Sequence, residues 1–335
     1  MFGKKLGIDL GTANSLVYVV GEGVVLNEPT VVAVTEDEGK VVAVGMAARE
    51  MLGRTPGEIV ASRPMRDGVI ADYVVTEAML RFFLDRVCGQ NRLWKPEVMI
   101  CVPAGVTQVE RRAVLDATIS AGAKVAYLID EPVAAAIGAK IPIGNPSGNM
   151  IVDIGGGSTE AAVISLGSVV THKSARVAGN KIDEAIQAYL KKKHNLFIGE
   201  RTAEEIKITI GSASPLGEKS AKMEVRGRDS VSGLPRMVTV VTDEVVEAIA
   251  GPLGQISNCI KGVLEETPPE LAGDIIDRGI VLSGGTSQLR NLDKYLTAVT
   301  GVPCHVAEEP LLCVVRGCGV AMENIEVYKK SVMKK

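Results

Sequence analysis

One pattern occurs twice in this chain, and it constrains the fold more than any other feature. The first copy reads Leu6-Gly7-Ile8-Asp9-Leu10-Gly11-Thr12-Ala13-Asn14-Ser15 and runs into Leu16-Val17-Tyr18-Val19-Val20. The second reads Met150-Ile151-Val152-Asp153-Ile154-Gly155-Gly156-Gly157-Ser158-Thr159 and runs into Ala161-Ala162-Val163-Ile164. Each is an apolar strand ending in Asp, an apolar residue and Gly, then a short turn of small and hydroxyl residues, then another apolar strand. That is a hairpin pattern. Small residues let backbone N–H groups approach a phosphate, and Thr12, Ser15, Ser158 and Thr159 add hydroxyl donors. A carboxylate at a strand end suits Mg2+, which keeps several of its waters. Two such hairpins facing each other would clamp a polyphosphate from both sides. Two unrelated Gly-rich turns are the plain alternative, and the matching positions of Asp9 and Asp153 weigh against it.

A third glycine turn, Ser283-Gly284-Gly285-Thr286-Ser287, follows the apolar run Ile280-Val281-Leu282. The spacing of Leu289, Leu292 and Leu296 predicts a helix over 288–299 behind it. No GxGxxG opens a helix and no GxxxxGK[ST] occurs, so neither the dinucleotide fold nor the P-loop is supported. Thr107-Gln108-Val109-Glu110 reads as a capping box, and so does Thr202-Ala203-Glu204-Glu205. Glu204 and Lys207 share a helix face, where a surface ion pair is the simplest account. The strand Val125–Ile129 ends in Asp130-Glu131-Pro132, and Pro132 suits a first helical turn. Glu131 therefore sits at a strand-to-helix junction, as a capping or a catalytic carboxylate. The single tryptophan lies in Asn91-Arg92-Leu93-Trp94-Lys95-Pro96, a short turn that suits either core packing or shallow insertion at a lipid interface.

Charge and composition narrow the function classes. The chain has 37 basic and 40 acidic residues, a balance that argues against nucleic-acid binding. No uncharged run reaches the ~20 residues of a membrane-spanning helix. No apolar leader follows Lys4-Lys5, and the six cysteines form no CxxC pair, so free thiols in a reducing cytoplasm are expected. At 335 residues the chain is about twice the ~150 of a one-domain prior, so two domains are expected.

These motifs, with Asp130-Glu131-Pro132 and Leu282-Ser283-Gly284-Gly285, resemble the actin and heat-shock ATPase superfamily. Further stretches, among them Gly53-Arg54-Thr55-Pro56-Gly57, Pro64 to Asp72, Ile198 to Lys207 and Thr267-Pro268-Pro269-Glu270-Leu271, resemble the MreB/Mbl family of bacterial actin-like cell-shape proteins. The resemblance runs from about residue 3 to 326 and implies an α/β, actin-like (ribonuclease H-like) duplicated two-lobe fold with four subdomains around a nucleotide cleft. One lobe core would hold 1–31, 68–143 and 316–335, with insertion 32–67. The other would hold 144–180 and 244–315, with insertion 181–243.

The resemblance also implies roles. ATP or ADP with Mg2+ would bind between the hairpins, on Thr12, Ala13 and Asn14 and on Gly155, Gly156 and Gly157. Glu204, Glu205, Ile206 and Lys207 would line the adenosine, and Gly284, Gly285, Thr286 and Ser287 would form the third turn. Asp9 and Asp153 would hold Mg2+ through water. Glu131 would orient the attacking water, with Ser158 helping to place it. The family forms antiparallel paired protofilaments on the inner face of the cell membrane, in the cytoplasm. There it contacts anionic lipid and works with the cell-wall elongation machinery, including MreC, MreD and RodZ-like membrane proteins. Leu93 and Trp94 fall where its lipid-binding loop is placed. The implied activity is slow ATP hydrolysis coupled to polymerisation. Ser158 stands where the family has Thr, Thr286 where it has Gly, and Arg316 near a more neutral pattern, so a binding-only paralogue stays open. A soluble small-molecule kinase of the same superfold is a further alternative.

Overall fold

A computed structural model describes residues 3–334 except 38, 55–56, 67 and 90–93. Two large sheets carry the same topology. In the first, the meander Lys5–Leu10, Asn14–Val19 and Gly23–Pro29 lies beside two strands parallel to its first strand, Glu97–Val102 and Val125–Asp130. In the second, the meander Asn149–Ile154, Thr159–Ser165 and Ser168–Ala175 lies beside Ile280–Ser283 and Cys304–Val306, again parallel. The sequence repeat is therefore the visible part of a repeat in strand order. The first sheet has one addition, Val332–Lys334, paired antiparallel to Val125–Asp130.

Each sheet sinks its apolar strands into helices. Ile8, Val98 and Ile100 are fully buried with Met79, Leu80 and Phe83 of the helix Tyr73–Cys88. Val152, Ile182, Ile249 and Ile256 do the same on the second sheet. Each such side chain contributes about 1.5–3 kcal/mol relative to exposure. Two helices, Glu131–Gly138 and Cys313–Glu323, lie between the sheets and pack on each other. The core around them takes Met99 and Ile129 from the first sheet and Ile151 and Ile164 from the second.

Two three-stranded sheets and a two-stranded one, Met65–Arg66 with Val69–Ile70, are added to these. Val32–Thr35 pairs with Val41–Val44 and Ile59–Ser62, and Lys222–Asp229 pairs with Leu196–Phe197 and Pro235–Val241. Among the described residues no helix is long and apolar enough to cross a membrane.

Local expectations fared unevenly. The Thr107 capping box is present: the Thr107 N–H donates to Glu110 Oε2 at 2.7 Å and the Glu110 N–H to Thr107 Oγ1 at 3.3 Å. The one expected at Thr202 is not. That helix begins three residues earlier, at Glu200 behind an extended Gly199, so Thr202 is already inside it. Behind the third turn, Gly285–Gln288 forms a 3-10 turn and the α-helix runs only over Leu292–Thr300. The apolar spacing at Leu289 belongs to the approach rather than to the helix. Four of the six thiols are buried and two, Cys88 and Cys304, are half-buried.

Candidate functional site

The two repeat hairpins meet across one cavity of about 510 Å3, within the ~300–1,000 Å3 typical of small-molecule sites. Thr12, Ala13 and Asn14 line one wall, and Gly155, Gly156, Gly157 and Ser158 line the other. The turns are close: a Cβ on Gly156 would sit 2.5 Å from Ala13 Cβ, and one on Gly157 would sit 2.6 Å from Thr12 Oγ1. Only glycine lets the walls approach this far. Gly284, Gly285 and Thr286 close a third side, while Glu204 and Lys207 come from the helix Glu200–Ile210.

Not every expected residue reaches the cavity. Ile206 is buried in the core of the second lobe, and Glu205 points to solvent. A helix turns 100° per residue, so 204, 207 and 208 share a face that 205 and 206 leave. Ser287 is buried and donates to the Gly284 carbonyl at 2.7 Å, holding the third turn from behind. Several lining residues had no local signal, among them Gly179, Asn180, Cys101 and Arg290.

Lys207 does not pair with Glu204. Its Nζ lies 2.9 Å from Asp183 on the helix Gly179–His194 and donates to the Gly179 carbonyl at 3.2 Å. Glu204 instead pairs with Arg49 of the short helix Met46–Met51, and Arg63 approaches Glu200 at 3.6 Å. These pairs bridge the mouth of the cleft. Leu93 lies outside the described residues. Trp94 is 68% exposed, so the core-packing alternative does not hold for it.

Below the glycine turns lies a cluster of carboxyls, with Asp153 and Glu160 buried and Asp9 and Glu131 half-buried on the cavity wall. Asp9 ends the strand Lys5–Leu10, Asp153 lies in Asn149–Ile154, and Glu131 begins the helix Glu131–Gly138. Cys101 Sγ contacts Asp9 Oδ1 at 3.6 Å, and Ser283 Oγ donates to Asp153 Oδ1 at 2.7 Å. Burial, reinforced by the charge of Asp153, pushes Asp9 up to about 7. Burial pushes Glu131 well above the usual carboxylate range, with Asp153, Glu160 and Asp9 adding to it. Glu160, fully buried across from Asp153, is pushed up to about 7, again mainly by burial.

Such a cluster is costly to ionise without a cation. Its donors are hard oxygens, which suit Mg2+. Among the described residues no three such groups converge closely enough to ligate an ion directly. A hydrated ion, held through water by Asp9 and Asp153, fits that spacing. The folded protein should therefore gain stability from acid. Unfolded carboxyls titrate near 4, whereas Asp9 and Glu160 titrate near 7. Between those values the folded state binds more protons, so this contribution is complete at low pH and is lost as pH rises through 7. In EDTA, the thermal midpoint is expected to drop by about 5 °C or more between pH 5 and pH 8. Mg-ADP should flatten that slope. A midpoint that rises with pH in EDTA would sink the assignment.

Comparison with known proteins agrees with this geometry. The family model described as MreB/Mbl protein matches residues 3–330. The cell shape-determining protein Mbl of Bacillus cereus is 49% identical over 334 residues, covering 100% of both chains. The cell shape-determining protein MreB of Escherichia coli is 52% identical, covering 98% of this chain and 96% of its own. The crystal structure of MreB5 of Spiroplasma citri bound to ADP superposes with a TM-score of 0.91 at 38% identity, covering 97% of this chain and 98% of that one. Its AMPPNP-bound form gives 0.92 at 37% identity, covering 98% and 99%. The fold is thus actin-like, and the chain belongs to the MreB/Mbl family.

Proposed function

We propose that this protein is an ATP-dependent, actin-like filament protein that lies on the inner face of the cell membrane, scaffolds cell-wall synthesis and determines rod shape. The observation that carries the reading is the pair of repeat hairpins facing each other over the carboxyls of Asp9, Asp153 and Glu131 in one cavity. ATP or ADP lies with its phosphates between the Thr12–Asn14 and Gly155–Gly157 turns. Its sugar sits near Glu204 and Lys207, and its base lies against Gly284, Gly285 and Thr286. Asp9 and Asp153 would hold Mg2+ through water, and the ion would supply positive charge to neutralise the phosphates.

Glu131 orients the attacking water and accepts its proton, and Ser158 helps to place that water. Phosphoryl transfer needs little more than this positioning. The four-part division at 32–67 and 181–243 lets the cleft close on ATP. Closure favours longitudinal self-association, and hydrolysis loosens it. Nucleotide-bound structures of MreB5 support the ligand class. The MreB and Mbl relatives, named for cell-shape determination, support the biological role; partners of the MreC, MreD and RodZ-like kind are part of the proposal.

The membrane part of the reading rests on Trp94, exposed between basic neighbours. Co-sedimentation with anionic liposomes in Mg-ATP tests it, with negative-stain imaging of the pellet. Wild type is expected to pellet as paired filaments on lipid. The Leu93→Ser/Trp94→Ser variant is expected to lose most of the lipid-dependent pellet while still binding ADP. A wild type that binds ATP yet forms no filaments would overturn the cytoskeletal reading.

A further inference from the structure

We propose that the Thr286 hydroxyl is a positioning group that aims the second phosphate turn, a role resting on the nucleotide reading above. Thr286 is buried in the 3-10 turn Gly285–Gln288, and its Oγ1 donates to the Gly155 carbonyl at 2.7 Å. The Gly179 N–H donates to the same carbonyl at 3.2 Å, and the next N–H, of Asn180, donates to the Gly156 carbonyl at 2.8 Å. The contact is tight, because a Cβ on Gly179 would lie 2.7 Å from Thr286 Oγ1.

Planarity of the peptide bond turns these contacts into a directional device. The carbonyl of Gly155 and the N–H of Gly156 belong to one trans peptide and point in opposite directions. A donor that fixes the Gly155 carbonyl therefore fixes the direction in which the Gly156 N–H points. The bond from Asn180 does the same for the Gly157 N–H. Gly155 and Gly156 have no Cβ to restrict rotation, so without these donors both peptide planes would be free to turn. The Thr286 hydroxyl thus acts on the phosphates through the loop, separately from the place of its side chain on the wall of the cleft. Ser283, three residues earlier, bonds Asp153 from the same segment, so the third turn braces both the carboxylate and the phosphate turn of the second hairpin.

The test compares ADP with adenosine, which lacks the phosphates, by displacement of a fluorescent ADP from the full chain in Mg2+. Thr286→Val keeps the shape and removes the donor. One net hydrogen bond corresponds to roughly a three- to tenfold change in affinity. Thr286→Val is expected to weaken ADP by that factor and to leave adenosine within twofold. Thr286→Ser restores the donor and is expected to bind ADP within twofold of wild type.

Equal losses for ADP and adenosine, or Thr286→Val binding ADP like wild type, would overturn the proposal while leaving the nucleotide site in place. Failure of the wild type to bind ADP would instead overturn the nucleotide reading and this role with it. A thermal midpoint for each variant without nucleotide separates misfolding from loss of aim. If Thr286→Val is unfolded, Thr286→Ala carries the same comparison with the side chain shortened.

Discussion

Replacing Glu131 by Gln is expected to slow ATP turnover roughly 10²–10⁴-fold, the span of a lost general base, while ADP affinity stays within about threefold. The same substitution should raise the thermal midpoint of the nucleotide-free protein at pH 8 and leave it nearly unchanged at pH 5. The two effects have one cause. Burial and the charges of Asp153, Glu160 and Asp9 hold the Glu131 carboxyl well above its ordinary range. Above the unfolded value the folded state must carry a proton on this group or bear its charge, and that penalty grows with pH. Gln fills the same space without it, so relief appears only on the alkaline side. Phosphate release under single-turnover conditions and calorimetry at the two pH values read the two arms separately. Turnover within threefold of wild type would remove Glu131 from the mechanism. A midpoint lowered at pH 8 would show that the carboxyl is structural.

Much of this site is written locally in the chain, and the remainder is not. The hairpins around Asp9 and Asp153 were legible because a short apolar run, a Gly turn and a second apolar run determine a hairpin within some 15 residues. The strand-to-helix junction at Glu131 was legible for the same reason, through Pro132. Contacts across the cleft have no such signature. Arg49 meets Glu204 across 155 positions, and Lys207 meets Asp183 across 24. The simplest local partner of Lys207 was Glu204, three residues away, but burial of Asp183 beside it offered a stronger claim on the ammonium group. Glu205 and Ile206 are a different case. The helical period was in the sequence, and it alone separates the cavity-facing 204 and 207 from the buried 206. The helix start at Glu200 was missed because Thr202 and Glu205 happen to have capping-box spacing, while the extended Gly199 carries no side-chain cap to announce it.

Gly317→Ala is expected to destabilise the protein by at least about 3 kcal/mol, or to prevent soluble expression, although alanine is the better helix former by about 1 kcal/mol. The reason lies in how closely the two helices between the sheets pack on each other. Gly317 is in the helix Cys313–Glu323, and a Cβ there would lie 1.8 Å from the Ala134 carbonyl oxygen and 2.5 Å from its carbon. A Cβ on Gly138 of the facing helix would meet the Cys313 carbonyl oxygen at the same 1.8 Å. These are backbone atoms, so no side chain can turn aside, and the helices would have to separate. The helix that would move, Glu131–Gly138, carries Glu131 at its first residue and packs against strands of both sheets. Loss of stability and loss of hydrolysis should therefore come together. A control isolates the cause. Gly254 in the helix Thr242–Glu266 has no non-neighbouring atom within 4 Å of its Cβ position, so Gly254→Ala should gain about 0.4–1 kcal/mol. Urea unfolding of both variants reads the difference directly. If Gly317→Ala unfolds within 0.5 kcal/mol of wild type, the close helix packing is not what these glycines secure, and they need another explanation.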